Sequence, residues 1–190
     1  MTLRQIIFSH GMSKVTIIGA VAASTISYAA AGDLPKEGTF TLTSYYNDVW
    51  DAIETTPKHY TWTWETNGIA TNDAGSGFGH KVAFHCIGSG GNTNAEGGLR
   101  NTGYCVYVDA DGDRFEAQLE VWQSRSGEPK LGEFTFVDGT GKYAGIQGKA
   151  TLTFEPESGV CLHFTKPSSH GSGLCIAQAK GSYKLTGATP

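Results

Sequence analysis

The sequence predicts an all-β protein: a single antiparallel β-barrel of about eight strands with at most one short helix. Three observations carry this prediction. Apolar and polar residues alternate with a period of two along most of the chain, as they do in strands with one buried face. Gly supplies 26 of the 190 residues, about twice the usual ~7%, and each one disfavours a helix by about 1 kcal/mol. Asn-Gly and Asp-Gly pairs, which permit the positive φ angles of tight hairpins, separate the alternating runs.

The alternating runs follow one another along the chain, and each places apolar residues on one parity. These residues are Phe40 and Leu42; Tyr60, Trp62 and Trp64; Phe78, Val82, Phe84 and Cys86; Phe115, Ala117, Leu119 and Val121; Leu152 and Phe154. About eight such strands must form a sandwich or a closed barrel to bury their apolar faces and cover their edges.

Two segments depart from the strand pattern. Asn47–Glu54 is the best candidate for a helix, of about two turns, because it lacks strict alternation and Pro57 follows it. The Gly- and Asn-rich stretch Ser89–Thr102 is expected to form a long, mobile loop. No linker or repeat divides the remaining chain.

The first 31 residues have the features of a secretory signal peptide, which leaves residues 32–190 as the barrel domain. Met1–Ala31 has no acidic residue and two basic ones, Arg4 and Lys14, ahead of an apolar run. The segment ends in an Ala-x-Ala cleavage signal, so we expect cleavage after Ala31; Met12 is an alternative start. Thr and Ser interrupt the run before it reaches the ~20 apolar residues of a membrane span. We therefore expect a bacterial protein exported to the periplasm or the medium.

The charge of the chain limits its partners. The formal net charge is −4, and removal of the signal peptide makes it more negative. Nucleic-acid binding depends on Lys and Arg that neutralise phosphates, so no nucleic-acid partner is expected. No basic run favours an anionic membrane surface. The oligomeric state is left open.

Four cysteines, Cys86, Cys105, Cys161 and Cys175, lie in the exported part. An even number in an oxidising compartment indicates two disulfides with three possible pairings. We favour Cys86–Cys105 and Cys161–Cys175, because each pair flanks a stretch that returns the chain to an adjacent strand. The alternative is a zinc site built from Cys161, Cys175, His163 and His170. The compartment favours disulfides, so no metal is expected.

The stretch Asp138–Gly148, between two alternating runs, has the sequence Asp-Gly-Thr-Gly-Lys-Tyr-Ala-Gly-Ile-Gln-Gly. It resembles the Gly-rich corner of the allene oxide cyclase-like and dirigent-like barrels. Gly77–His80, Phe84–Cys86 and Asp109–Asp113 are similar to bacterial exported members of that superfamily, over about residues 60–185. The resemblance implies an eight-stranded barrel. The Glu/Asn/Pro group of the plant cyclases does not match the stretch from Phe40 to Asp48, so the cyclisation chemistry is not carried over.

Two further motifs imitate cofactor sites. Gly139-x-Gly141-x-x-Ala144 imitates a dinucleotide fingerprint, but a strand pattern follows it where a helix is required. Asp109, Asp111 and Asp113 imitate a calcium loop, but strands flank them. We interpret this second motif as an Asp-Gly hairpin with water-facing carboxylates, and we expect no cofactor.

The candidate site residues share the inward parity of their strands. Tyr60, Trp62, Trp64, Phe78 and Phe84 are candidates to line a ligand cavity, because a barrel of about eight strands has room either for side chains or for one small ligand. His80 has the same parity and is the candidate acid or base. The alternative for the aromatic residues is a filled core, and for His80 a structural hydrogen bond.

Three functions fit this pattern. The leading hypothesis is an exported, disulfide-stabilised barrel that binds a small apolar or amphipathic molecule in its lumen. The second is a cyclase or isomerase that holds a reactive lipid- or polyketide-like intermediate in a dry cavity, without metal or nucleotide. The third is a structural or interaction protein with a filled barrel. Whether the chain is an enzyme is left open.

Overall fold

The computed structural model describes residues 34–93, 96–125, 130–154, 162–163 and 170–187. The predicted signal peptide, residues 1–31, and Cys161 lie outside these ranges. The signal peptide and the disulfide of Cys161 therefore stay predictions. None of the helical segments in the described ranges has the length and apolar character that a membrane crossing needs.

Nine strands form one antiparallel sheet in the described residues. They are β1 (Glu37–Thr56), β2 (His59–Asn72), β3 (Val82–Asn92), β4 (Leu99–Val108), β5 (Arg114–Gln123), β6 (Leu131–Gly139), β7 (Ile146–Phe154), β8 (Leu162–His163) and β9 (His170–Leu185). Sheet neighbours run in the order β1-β2-β3-β4-β5-β6-β7-β9-β8, and β9 also pairs with β1. This second pairing closes β1 to β7 and β9 into an eight-stranded barrel, which confirms the predicted fold class.

The seam of the barrel is long. β9 pairs with β1 from Glu37↔Lys184 to Asp51↔His170, and on its other side it pairs with the whole of β7. The two-residue strand β8 pairs with β9 at Leu174 and Gly173, beyond the end of β7. Since β1 to β7 and β9 each have neighbours on both sides, alternate side chains of these eight strands enter one interior.

The helix expected at Asn47–Glu54 is wrong, because this segment is part of β1. It pairs with β2 throughout, from Asn47↔Asn67 to Glu54↔Tyr60, and with β9 as far as Asp51. Two neighbouring strands satisfy its main chain, and this tertiary pairing outweighs local propensity. The helical turn in the described residues is a 3-10 turn at Gly141–Tyr143.

The long loop expected at Ser89–Thr102 is also wrong over most of its length. β3 continues to Asn92 and β4 begins at Leu99. A main-chain hydrogen bond from Thr93 N to Gly98 O, 2.9 Å long, closes the connection. Gly90 and Gly91 therefore belong to a paired strand, whereas Gly97 and Gly98 lie in the short connection.

One end of the barrel is filled with aromatic rings, and we call it the phenylalanine end. The β2–β3 connection carries Phe78 into its centre, where the side chain is 2% exposed. The Phe78 ring stacks on Tyr183 with centroids 4.4 Å apart and lies 5.0 Å from Phe115. Asn72 Nδ2 donates a buried hydrogen bond of 2.8 Å to Phe78 O, which fixes the connection. Ring pairs of this kind contribute about 0.5–1.5 kcal/mol each beyond area burial.

The Asp138–Gly148 corner closes the same end. Gly141 and Gly145 have φ of 55° and 69°, which glycine adopts without penalty. The 3-10 turn between them buries Tyr143 and directs Lys142 toward the β4–β5 hairpin. Lys142 Nζ lies 2.8 Å from Asp109 Oδ2 and 2.6 Å from Asp111 Oδ2.

The expected water-facing carboxylate is wrong for Asp109, whereas the Asp111 side chain is exposed as expected. The Asp109 side chain is only 7% exposed, and Asp113 Oδ2 accepts a hydrogen bond from Lys142 N. The ammonium group of Lys142 thus occupies the position among these carboxylates that a cation would take in a calcium loop.

The disulfides agree with the preferred pairing where they are described. Cys86 and Cys105 are bonded directly across β3 and β4, with Cα atoms 4.0 Å apart. Cys175 is also disulfide-bonded, so its thiolate is not available to the alternative zinc site. The Cys161–Cys175 pairing itself stays a prediction.

Replacement of Lys142 by Met is predicted to lower the free energy of unfolding by about 1–3 kcal/mol at pH 7, because it leaves the Asp109 carboxylate buried without its partner. The matched control is Lys149→Met. Lys149 pairs with Glu133 at 2.7 Å, but both side chains are exposed, so its loss should cost less than about 1 kcal/mol. Urea unfolding of the two variants measures both values.

The loss of unfolding free energy in Lys142→Met should depend on pH, and the titration of Asp109 determines the direction of this dependence. Burial acts to raise the pKa of Asp109, but the hydrogen bonds and charge of Lys142 outweigh it and hold the pKa below its ordinary value. A lowered pKa in the folded state stabilises above the unfolded pKa of about 3.9, and this contribution is lost as the pH falls further. A difference in unfolding free energy between wild type and Lys142→Met that persists unchanged to pH 2 would contradict a stabilising role of the ionised Asp109 carboxylate.

Candidate functional site

Three tryptophans face the interior at the opposite end of the barrel, which we call the tryptophan end. Trp50 lies on β1, and Trp62 and Trp64 lie on β2. Trp50 and Trp64 are direct cross-strand partners. All three side chains are half-buried, in contrast to the rings of the phenylalanine end, where Phe78 and Phe115 are 2% and 1% exposed.

Each tryptophan lies over a glycine on the neighbouring strand. The direct partners are Trp50 with Gly171, Trp64 with Gly88 and Trp62 with Gly90. A Cβ atom on Gly171 would come within 2.1 Å of the Trp50 ring. On Gly88 it would come within 2.4 Å of Trp64, and on Gly90 within 2.8 Å of Trp62. Glycine is therefore required at these positions so that the indoles can lie against the sheet.

Polar groups lie beside the tryptophans. Asp48 Oδ1 accepts a hydrogen bond of 2.8 Å from Thr66 Oγ1, and Thr66 is buried. Burial raises the pKa of Tyr46, and the Asp48 charge raises it further, so the phenol keeps its proton and remains a hydrogen-bond donor. Trp62 Nε1 donates to Asn101 Oδ1 at 2.6 Å.

Trp64 Nε1 differs from these groups. It is buried and has no hydrogen-bond partner among the residues that the structure describes. An unsatisfied buried donor costs about 1–3 kcal/mol. The Trp64 N–H is thus a buried donor whose hydrogen bond is not made by the described residues.

The structure brings only part of the predicted site together. Trp62 and Trp64 share the tryptophan end, and Tyr60, 39% exposed, continues their strand to its rim. The Phe84 ring is buried below them, with its centroid 6.3 Å from that of Tyr46. Phe78 lies instead at the phenylalanine end, on a connection rather than a strand.

His80 lies on the same connection as Phe78. It is half-buried, and its Nδ1 atom has no hydrogen-bond partner in the described part of the chain. The start of β3 at Val82 is six residues from Gly88, the partner of Trp64, or roughly 20 Å of strand. The structure therefore does not bring His80 together with the tryptophans, and its catalytic role stays an untested prediction.

Four residues of the tryptophan end are not among those predicted from the sequence: Trp50, Asp48, Thr66 and Asn101. For Trp50 and Asp48 a signal exists: the inward parity of Phe40 and Leu42 continues unbroken through positions 46, 48 and 50. The helix expected over this segment concealed that signal. Thr66 and Asn101 acquire their partners only through strand register.

Comparisons with known proteins add a distant structural similarity. No family model and no curated protein matches the chain. A solved structure with a similar chain is that of the pterocarpan synthase dirigent protein GePTS1. The two chains are 14% identical over 80% of this chain and 93% of the other, with a TM-score of 0.43. The barrel rests on the strand pairings of the chain itself, and these pairings form the eight-stranded architecture that the sequence resemblance implies.

Replacement of Gly88 by Ala is predicted to displace Trp64 and to lower the free energy of unfolding by about 1–3 kcal/mol through overpacking. The control is Gly91→Ala on the outer face of the same strand, where the nearest atom to an added Cβ is 3.1 Å away. Near-ultraviolet circular dichroism should change for Gly88→Ala and stay close to wild type for Gly91→Ala. Unchanged tryptophan spectra in Gly88→Ala would show that the indole does not lie against this glycine.

Proposed function

We propose that the barrel binds one small amphipathic molecule at its tryptophan end. The observation that carries the proposal is the buried, unpaired Trp64 Nε1 among three inward-facing indoles. A purely structural barrel has no use for this arrangement, because its interior would be filled as the phenylalanine end is. The indoles are only half-buried, so they retain apolar surface that a bound ligand would cover.

The side chains define the chemistry of the ligand. The indoles favour a flat apolar group, since stacked rings bury large areas in a fixed geometry. Trp64 Nε1 requires a hydrogen-bond acceptor such as a carbonyl or ether oxygen. The Asp48 carboxylate, which accepts from Thr66, favours a hydroxyl or ammonium group on the part of the ligand beside it.

The catalytic alternative, a cyclase or isomerase, is favoured by one observation. Asp48 lies next to the protonated phenol of Tyr46 at the tryptophan end, so a carboxylate and a phenol are present together to move a proton. On this hypothesis Asp48, rather than His80, handles the proton. A ligand recovered chemically unchanged from the protein supports binding, and a converted one supports catalysis.

We also propose that the barrel functions after export. The signal-like segment and the disulfides at Cys86–Cys105 and Cys175 support this. Expression with the native N-terminus in a secreting bacterium should give a mature protein that begins at Gly32. A protein that retains Met1 or Met12 in the cytoplasm would contradict export.

Prodan, a neutral naphthalene ketone, is a suitable probe for the proposed site because it combines a flat ring with a carbonyl acceptor. It should bind with a blue-shifted emission, and Trp64→Ala should weaken its Kd about tenfold, or ~1.4 kcal/mol. Trp64→Phe keeps an aromatic ring but removes the N–H donor and part of the stacking area, so it should give a smaller loss than Trp64→Ala with reduced hydrogen bonding to the ketone.

The control for this titration is Trp122→Ala, which removes a tryptophan from the outer face of β5 (38% exposed). Its prodan affinity should equal that of wild type. Equal losses in Trp64→Ala and Trp122→Ala, or no saturable binding by the wild type, would refute an interior site.

A further inference from the structure

A groove of about 660 Å³ crosses the outer surface of β1 to β5 near the tryptophan end. Most of its lining consists of residues of outward parity on two adjacent rows of the sheet register, and Trp50 and Trp64 of the tryptophan end also line it. One row includes Ile87, Tyr104 and Gln118, and the other includes Thr63, Ser89 and Thr102. The floor between the rows is main chain, because Gly88 and Gly103 direct their missing Cβ positions inward to Trp64.

A second hollow of about 430 Å³ continues the groove along β4 and β5. Arg100, Glu120 and Trp122 line it, and Arg100 forms an ion pair with Glu120. Arg100, Thr102 and Tyr104 are successive outward residues of β4, so the two hollows are consecutive on one surface.

Two exposed aromatic rings mark the length of this surface. Tyr104 is 58% exposed and Trp122 38% exposed. Trp122 is the cross-strand partner of Arg100, which precedes Tyr104 by four residues. At 3.3–3.4 Å per residue, the two aromatic positions are about 13 Å apart along the strands.

The surface excludes several classes of ligand. β2 to β5 are each paired on both sides, so no strand edge is present there for a peptide to extend. Asp51 and Glu65 give the groove a negative character, and Arg100 and Glu120 balance each other's charge. A polyanion is therefore disfavoured. An apolar chain is disfavoured too, because it would desolvate the row of hydroxyls without replacing their hydrogen bonds.

A neutral carbohydrate is a class of ligand that these exclusions leave, and it fits the aromatic and hydroxyl side chains of the surface. The C–H face of a sugar ring is apolar and packs on an aromatic side chain, while its hydroxyls point outward in the plane of the ring and act as donors and acceptors. Tyr104 and Trp122 supply the two apolar platforms. Thr63, Ser89 and Thr102 supply hydroxyls, and Gln118 supplies both an amide donor and an acceptor.

We propose that this outer groove is a second binding site, specific for a neutral oligosaccharide that spans Tyr104 and Trp122. Tyr104 and Trp122 have outward parity, so the two platforms lie on the opposite face of the sheet from the interior site, and the groove meets the residues of that site at Trp50 and Trp64. The distance between the two platforms requires several sugars in a chain, and a monosaccharide reaches only one platform.

The test is isothermal titration of the purified protein with neutral hexasaccharides of β-1,4-glucan, β-1,4-mannan, β-1,4-xylan and α-1,4-glucan. A sulfated and a uronate hexasaccharide serve as charged comparisons. At least one neutral hexasaccharide should bind, and its monosaccharide should bind at least about tenfold more weakly. Tyr104→Ala and Trp122→Ala should each weaken the hexasaccharide Kd by about tenfold or more.

Tyr45→Ala is the matched control, because Tyr45 is a 54% exposed tyrosine on the outer face of β1, outside the groove. Its affinity should equal that of wild type, and thermal unfolding should show that all three variants are folded. Absence of binding to every neutral hexasaccharide, binding to the charged ones only, or an equal loss in Tyr45→Ala would overturn the proposal.

Discussion

The pairing of β9 with β1 closes the sheet, and this closure determines where every other side chain of the barrel lies. A closed sheet has one interior, and each strand places alternate residues in it. That interior must be filled by side chains or covered by a ligand, because buried apolar surface next to empty space loses its packing contacts. The interior is occupied differently at the two ends of this barrel. Phe78 and its ring neighbours fill one end, and half-buried indoles occupy the other.

The two ends also differ in their polar groups. At the phenylalanine end, Lys142 neutralises Asp109 and Asp111 and ties the Gly-rich corner to the β4–β5 hairpin. The same end also contains His80, whose Nδ1 atom has no hydrogen-bond partner in the described residues. At the tryptophan end, Trp64 Nε1 has no hydrogen-bond partner in the described residues, and Asp48 accepts a hydrogen bond from Thr66. Gly88 and Gly103 connect the interior with the outer surface: the absence of their side chains makes room for Trp64 inside and leaves bare main chain under the outer groove.

The strand pattern, the Asp138–Gly148 corner and the Cys86–Cys105 bond could be predicted from the sequence, because each depends on residues close together in the chain or on a strict period of two. The tryptophan end could be predicted only in part. Trp62 and Trp64 have inward parity, but their glycine partners are identified by register, and Gly171 meets Trp50 only after the last strand returns. Without that register, the glycines of Ser89–Thr102 resemble a loop and Asn47–Glu54 resembles a helix. Phe78 has the parity of β3 but lies before it, on a connection.

The central claim is that the interior next to Trp64 receives a ligand, and the most direct measurement is a nuclear magnetic resonance titration of the indole N–H groups. The chain has four tryptophans, so four indole cross-peaks report on Trp50, Trp62, Trp64 and Trp122. On addition of prodan, the Trp64 peak should shift in a saturable way as its Nε1–H finds an acceptor, and the Trp122 peak should stay in place. A titration in which Trp64 does not move, or in which Trp122 alone moves, would contradict the claim.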